Sequence, residues 1–131
     1  MINKAPENGE SWLTMEADKF YITARMQNDH SIYLLIPGGV TGTGSYPYGE
    51  NEKEAYIDYS LDEGDIDNTF ITEKRNCEKC DLVYSGGQVK ITRFGSVGDY
   101  VEGEFTAELW LMGYYNPPKK NAKGKFRVKR N

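Results

Sequence analysis

Apolar and polar residues alternate with a period of two along most of this chain, and the alternating runs are separated by short clusters of Gly, Pro, Asn and Asp. That pattern predicts an all-β domain, an antiparallel β-sandwich or partly closed barrel of about seven to nine strands. The clearest element is a hairpin within residues 88–111. Pairing Val89, Ile91 and Arg93 with Phe105, Gly103 and Val101 gives one mostly apolar face. Gln88, Lys90 and Thr92 then meet Thr106, Glu104 and Glu102 on the polar face, with Lys90 against Glu104 as a cross-strand charge pair.

The rest of the chain divides in the same way. Leu13, Met15 and Ala17 alternate with Trp12, Thr14 and Glu16, and Phe20, Ile22, Ala24 and Met26 carry the apolar phase shifted by one residue. The shift predicts a turn or bulge near Asp18 and Lys19. Residues 31–36 are apolar on both alternating sets, Ile32, Leu34 and Ile36 as well as Tyr33 and Leu35, as expected of a strand covered on both faces. The Gly-rich residues 42–49 suit a sheet edge or a structured loop. Ala55, Ile57 and Tyr59 mark another strand, an acidic loop follows, and Phe70 and Ile71 make a short strand. Residues 112–123 contain Pro117 and Pro118 and read as a long surface connection. In the final strand, residues 124–130, Phe126 and Val128 oppose Lys125, Arg127 and Lys129. Antiparallel pairing beside the hairpin's long arm would set those bases against Glu102, Glu104 and Glu108.

Composition narrows the function classes. The 131 residues suit one domain with a single core, residues 1–10 forming a flexible N-terminal segment. A hydrophobic fraction of 38% with 27% charged residues is that of a globular chain rather than a disordered one. Twenty acids against 16 bases leave a net charge of −4, which offers no field to neutralise a phosphate backbone and argues against a nucleic-acid partner. The longest apolar run, residues 32–36, is far short of the roughly 20 residues of a membrane helix. No charged-then-apolar leader opens the chain, which predicts a cytosolic protein or the mature portion behind a removed leader.

Four features carry candidate chemistry. Cys77 and Cys80 enclose two residues, a spacing that serves a tight disulfide, a zinc half-site or thiol exchange. Zinc would need two further ligands, from His30 and a carboxylate such as Asp81 or from a second chain. Thiol exchange normally uses a helix N-terminus that this pattern lacks, so a local disulfide staple is the first expectation. Asp62, Asp65 and Asp67 surround Gly64 with oxygen ligands suited to Ca²⁺, although a solvated acidic loop has the same composition. Trp110 falls on the polar face of its strand, opposite to Leu109 and Leu111. With Tyr114, Tyr115, Tyr46 and Tyr48 it would make an aromatic platform for a sugar or protein, unless a loop covers it to form a minor core. No Ser or Cys nucleophile signature and no recognisable carboxylate pair appears, so an enzyme is the weaker class and no catalytic residue is named.

Several segments together resemble a known group. Thr41-Gly42-Thr43-Gly44-Ser45-Tyr46, Ser85-Gly86-Gly87-Gln88-Val89-Lys90-Ile91-Thr92, Val101-Glu102-Gly103-Glu104-Phe105-Thr106-Ala107 and Gly124-Lys125-Phe126-Arg127-Val128 are similar to stretches of small extracytoplasmic β-sandwich proteins, common as lipoproteins of the Bacteroidetes and related bacteria. The resemblance implies a periplasmic, outer-surface or secreted location and brings no catalytic residues. The function expected is a non-catalytic envelope or secreted domain that binds a protein or a glycan. The alternatives are an acidic immunity or inhibitor protein that blocks a basic partner and, third, a carboxylate-dependent hydrolase.

Overall fold

The computed structural model describes residues 11–16, 19–25, 30–61 and 68–130. Its eleven strands are β1 Ser11–Glu16, β2 Lys19–Arg25, β3 Ser31–Ile36, β4 Gly44–Tyr46, β5 Tyr56–Ser60, β6 Thr69–Ile71, β7 Glu73–Arg75, β8 Leu82–Tyr84, β9 Gly87–Phe94, β10 Tyr100–Leu111 and β11 Lys119–Lys129. Nine of them make the main sheet, at the top of the expected seven to nine; Phe70 and Ile71 mark β6, whereas the three-residue β4, β7 and β8 are too short to show an alternation. The predicted turn at Asp18, the N-terminal segment 1–10 and the acidic positions Asp62, Asp65 and Asp67 lie outside the described residues.

Nine strands form one antiparallel sheet in the order β1-β2-β3-β5-β6-β10-β9-β4, with β11 added to β10; β7 and β8 form a separate hairpin. The twelve-residue β10 is the junction. One of its edges carries β11 from Tyr100 to Trp110, while the other takes β9 at Val101 to Ala107 and β6 at Trp110 and Leu111. The sheet therefore doubles over at β10. Phe20, Ile22, Leu34, Ile36 and Ile57 from one half pack with Val89, Ile91, Val101, Leu109 and Val128 from the other in a single core. Burial of these apolar faces is what the period-two pattern encodes. The sheet is not closed into a barrel, and the fold is sandwich-like: β1 lies near β11, with no strand pairing between them among the described residues.

The predicted hairpin register holds from Gln88 to Ile91 against Gly103 to Thr106 and fails beyond it. A bulge between Glu102 and Gly103 pairs Arg93 with Glu102 and Phe94 with Val101. The extra residue swings Arg93 off the core face, where its guanidinium meets both Asp99 oxygens at 2.8 Å and Glu102 at 3.3 Å. Two aromatic rings cover glycines across the β10–β11 pair: Phe105 lies over Gly124 and Phe126 over Gly103. The final strand begins at Lys119, not at residue 124, so the surface connection is shorter than expected. Its register sets Arg127 opposite Glu102 and Lys125 opposite Glu104, but Lys129 faces Tyr100. Glu108 pairs with Lys119 instead, at 3.2 Å. These pairs are exposed and worth about 0 to 1 kcal/mol each, so they help to set register more than stability.

Candidate ligand-binding groove

Thr72 turns the chain out of the main sheet. Its buried hydroxyl accepts the Ile57 N–H at 3.1 Å and its carbonyl accepts the Ser85 N–H at 2.9 Å, which fixes both ends of the β7–β8 hairpin. That hairpin covers Trp110, whose ring lies 5.2 Å from Lys74 Nζ. Trp110 is only 4% exposed. Its position on the face opposite to Leu109 was legible, but the flap removes it from the expected platform. Cys77 and Cys80 are joined by a disulfide at the far end of the hairpin. The Cys80 N–H also bonds the Cys77 carbonyl at 3.1 Å, and the Arg75 guanidinium donates to the Cys80 carbonyl.

A second segment packs beside this flap. β10 ends at Leu111, and the Met112 N–H donates to the Thr69 carbonyl at 2.8 Å. The chain then reverses through two left-handed positions, Gly113 at φ 92° and Asn116 at φ 46°, residue types that tolerate this region. Pro117 and Pro118 lead back into β11, and the Pro118 carbonyl accepts from the Leu111 N–H at 3.1 Å. An isolated parallel bridge ties Tyr115 to Arg75. The turn is thus held by β6, β7 and its own closing bond.

Between flap and turn lies an open groove of about 410 Å³, walled by Ile71, Leu82, Leu111 and Met112 with Glu73, Lys74, Arg75 and Glu78, and flanked by Tyr114 and Tyr115. The two tyrosines are 56% and 59% exposed. Burial, reinforced by the Glu50 carboxylate, raises the Glu73 carboxyl above its ordinary range, while Arg75 acts in the opposite direction. The lining holds no Ser, Thr, Cys or His among the described residues. Such a surface can stack rings and donate or accept hydrogen bonds through its tyrosines and charged side chains.

No protein-family model, curated protein or solved structure matches this chain. The groove is therefore interpreted from its own chemistry.

The structure brings together only part of the expected aromatic set. Tyr46 packs half-buried against the core from β4, and Tyr48 is buried with its hydroxyl donating to the Thr106 carbonyl at 2.8 Å. Both are structural because the Gly-rich segment pairs with β9 as the edge strand of the sheet, as its composition suggests, and Tyr48 then bridges to Ala55. Tyr114 and Tyr115 alone of the five remain available. His30 is engaged by the Tyr59 hydroxyl at 3.0 Å, and no cluster of three metal-ligating side chains forms among the described residues. Sequence inspection did not single out Glu73, Lys74 or Arg75. Their alternating charges beside the cysteine pair were the available signal.

A larger depression, of about 450 Å³, lies on the polar face of β9, β10 and β11, with Lys90, Lys123 and Lys125 around Glu104. Its one ring, Phe105, lies over Gly124, and Lys90 and Lys125 already face Glu104 across the strands. The tyrosine groove is the stronger candidate.

Proposed function

We propose that the protein is a non-catalytic binding domain of the cell envelope or the extracellular space, which engages a protein or glycan through the groove beside Tyr114 and Tyr115. One observation carries this: two adjacent tyrosines, each more than half exposed, project from a turn whose backbone is fastened to β6 and β7. Tyrosine offers a large amphipathic contact for little side-chain entropy, and a pre-ordered turn avoids the ordering cost of binding. The disulfide between Cys77 and Cys80 supports an oxidising compartment. The test is a screen of the chain on a glycan array and a peptide-display library, repeated with Tyr114→Ser, Tyr115→Ser. A ligand recovered by the parent chain should lose at least roughly tenfold in affinity with the melting temperature unchanged. Undiminished binding by the variant would place the binding face elsewhere.

A further inference from the structure

The face of β2, β3 and β5 turned away from the core has its own chemistry. Phe20, Ile22, Leu34, Ile36 and Ile57 point inward, so Tyr21, Tyr33, Leu35, Tyr56 and Asp58 share the opposite face. Register sets Tyr21, Leu35 and Tyr56 in one cross-strand row. Thr23, Tyr33, Asp58 and Ile71 make the next. Asp58 therefore stands directly beside Tyr33 and two positions along the strand from Tyr56. The Tyr21 and Tyr33 rings lie 5.7 Å apart, tilted by 44°. All of these residues are half-buried, none fully covered.

A half-buried carboxylate is ordinarily matched by a cation or by hydrogen bonds. Asp58 has neither among the described residues. Burial alone raises its carboxyl above the usual range, without an opposing cation. The nearby bases are used elsewhere: Lys74 sits over Trp110, and Arg75 holds the Cys80 carbonyl. Lys19, the described basic position of β2 on this face, is exposed and lies four positions along β2 from Thr23, in the row of Asp58. The negative field extends beyond Asp58, since burial first and then the Asp58 and Glu73 carboxylates keep the Tyr56 phenol protonated.

We propose that this face is a second binding site, distinct from the tyrosine groove, and that it receives an arginine side chain of a partner protein over Asp58 between Tyr33 and Tyr56. The charge complementarity is local. A carboxylate that no cation among the described residues meets shares its sheet face with three phenol rings, whose quadrupoles also attract cations. Arginine fits better than a compact ammonium because its planar guanidinium can lie on a ring and donate a two-pronged hydrogen bond to the carboxylate.

The experiment is a heteronuclear NMR titration of the full chain with acetyl-Gly-Arg-Gly-amide. Parallel titrations use the citrulline peptide, a neutral isostere, and tetramethylammonium. Saturable shifts at Tyr33, Tyr56 and Asp58 with the arginine peptide are expected. Affinity should be at least tenfold weaker for citrulline and for Asp58→Asn, an isosteric change that keeps the strand intact. Tyr56→Leu provides a second variant and should weaken binding severalfold. Absent saturation, equal affinity for citrulline, or Asp58→Asn binding as the parent does would overturn the site. Tetramethylammonium binding as well as arginine would overturn the choice of a protein side chain. Shifts confined to Tyr114 and Tyr115 would assign the peptide to the groove instead.

Discussion

Gly103 is the position at which the fold can be tested most sharply. A Cβ built there would lie 2.6 Å from the Lys90 carbonyl oxygen and would also meet Phe126 Cζ. The carbonyl belongs to the β9 backbone at the bulge and cannot swing away as a side chain could. Overpacking of this kind costs about 1–3 kcal/mol, and a backbone contact this short belongs near the upper end. Replacing glycine by alanine returns about 0.4–1 kcal/mol by restricting the unfolded chain, so Gly103→Ala should lose about 2 kcal/mol net. An unfolding entropy of about 2.1 cal/mol/K per residue converts this, for 131 residues, into a fall in melting temperature of roughly 7 °C. Calorimetry measures that directly. Phe126→Leu removes the ring tip, so Gly103→Ala should cost less in that background, with a coupling of at least about 0.5 kcal/mol. A single variant that melts with the parent chain would refute the close approach of β9 and β10. An additive cycle would refute the ring-over-glycine contact.

Tyr48→Phe should cost about 1 kcal/mol by deleting the hydrogen bond to the Thr106 carbonyl, and an unchanged melting temperature would contradict that bond. Cys77→Ser with Cys80→Ser opens a very short loop whose closure entropy is worth about 2 kcal/mol, so the double variant should fold and melt a few degrees lower. Stoichiometric zinc in protein purified without reductant would contradict the disulfide. Asp58→Asn should raise the melting temperature at neutral pH, because burial lifts the folded-state carboxyl above its unfolded value and penalises the charged form. The folded protein then binds more protons than the unfolded one, and stability falls as pH rises through the raised value. The variant's advantage should vanish below the ordinary aspartate value of 3.8; an advantage that persisted there would not be electrostatic. Asp99 has the opposite sign. The Tyr100 N–H and then Arg93 lower its carboxyl, so Asp99→Asn should destabilise at neutral pH and make no difference once acid has protonated the parent.

How much of this was legible follows from which positions burial constrains. Val89, Ile91, Val101 and Leu109 must face the core, and their alternation gave the hairpin register without reference to any other strand. The bulge escaped because its cause is a grip between Arg93, Asp99 and Glu102, polar residues whose alternation carries no burial signal. β11 was read too short for a related reason. Lys119, Lys120, Asn121 and Lys123 look like a loop, yet lysine on a strand paired along one edge deters further pairing at low cost. Trp110 was placed on the correct face, but its cover comes from the flap of Glu73, Lys74 and Arg75, whose role depends on the turn at Thr72.

The outward face of β5 shows the same asymmetry from the other side. Ala55, Ile57 and Tyr59 announced a strand, and the complementary pair Tyr56 and Asp58 then had to share a face. Only the pairing of Tyr33 with Asp58, a contact between distant parts of the chain, shows that a carboxylate stands among phenols with no base opposite. Stability would favour a neutral residue at that position, since the charge is half-buried and unrelieved. Glu73 links this face to the groove, for it lines the groove and its charge also reaches the Tyr56 phenol. A partner that presents an arginine to Asp58 and an apolar or aromatic surface to Tyr114 and Tyr115 could therefore satisfy both regions at once, each contact raising the effective concentration for the other.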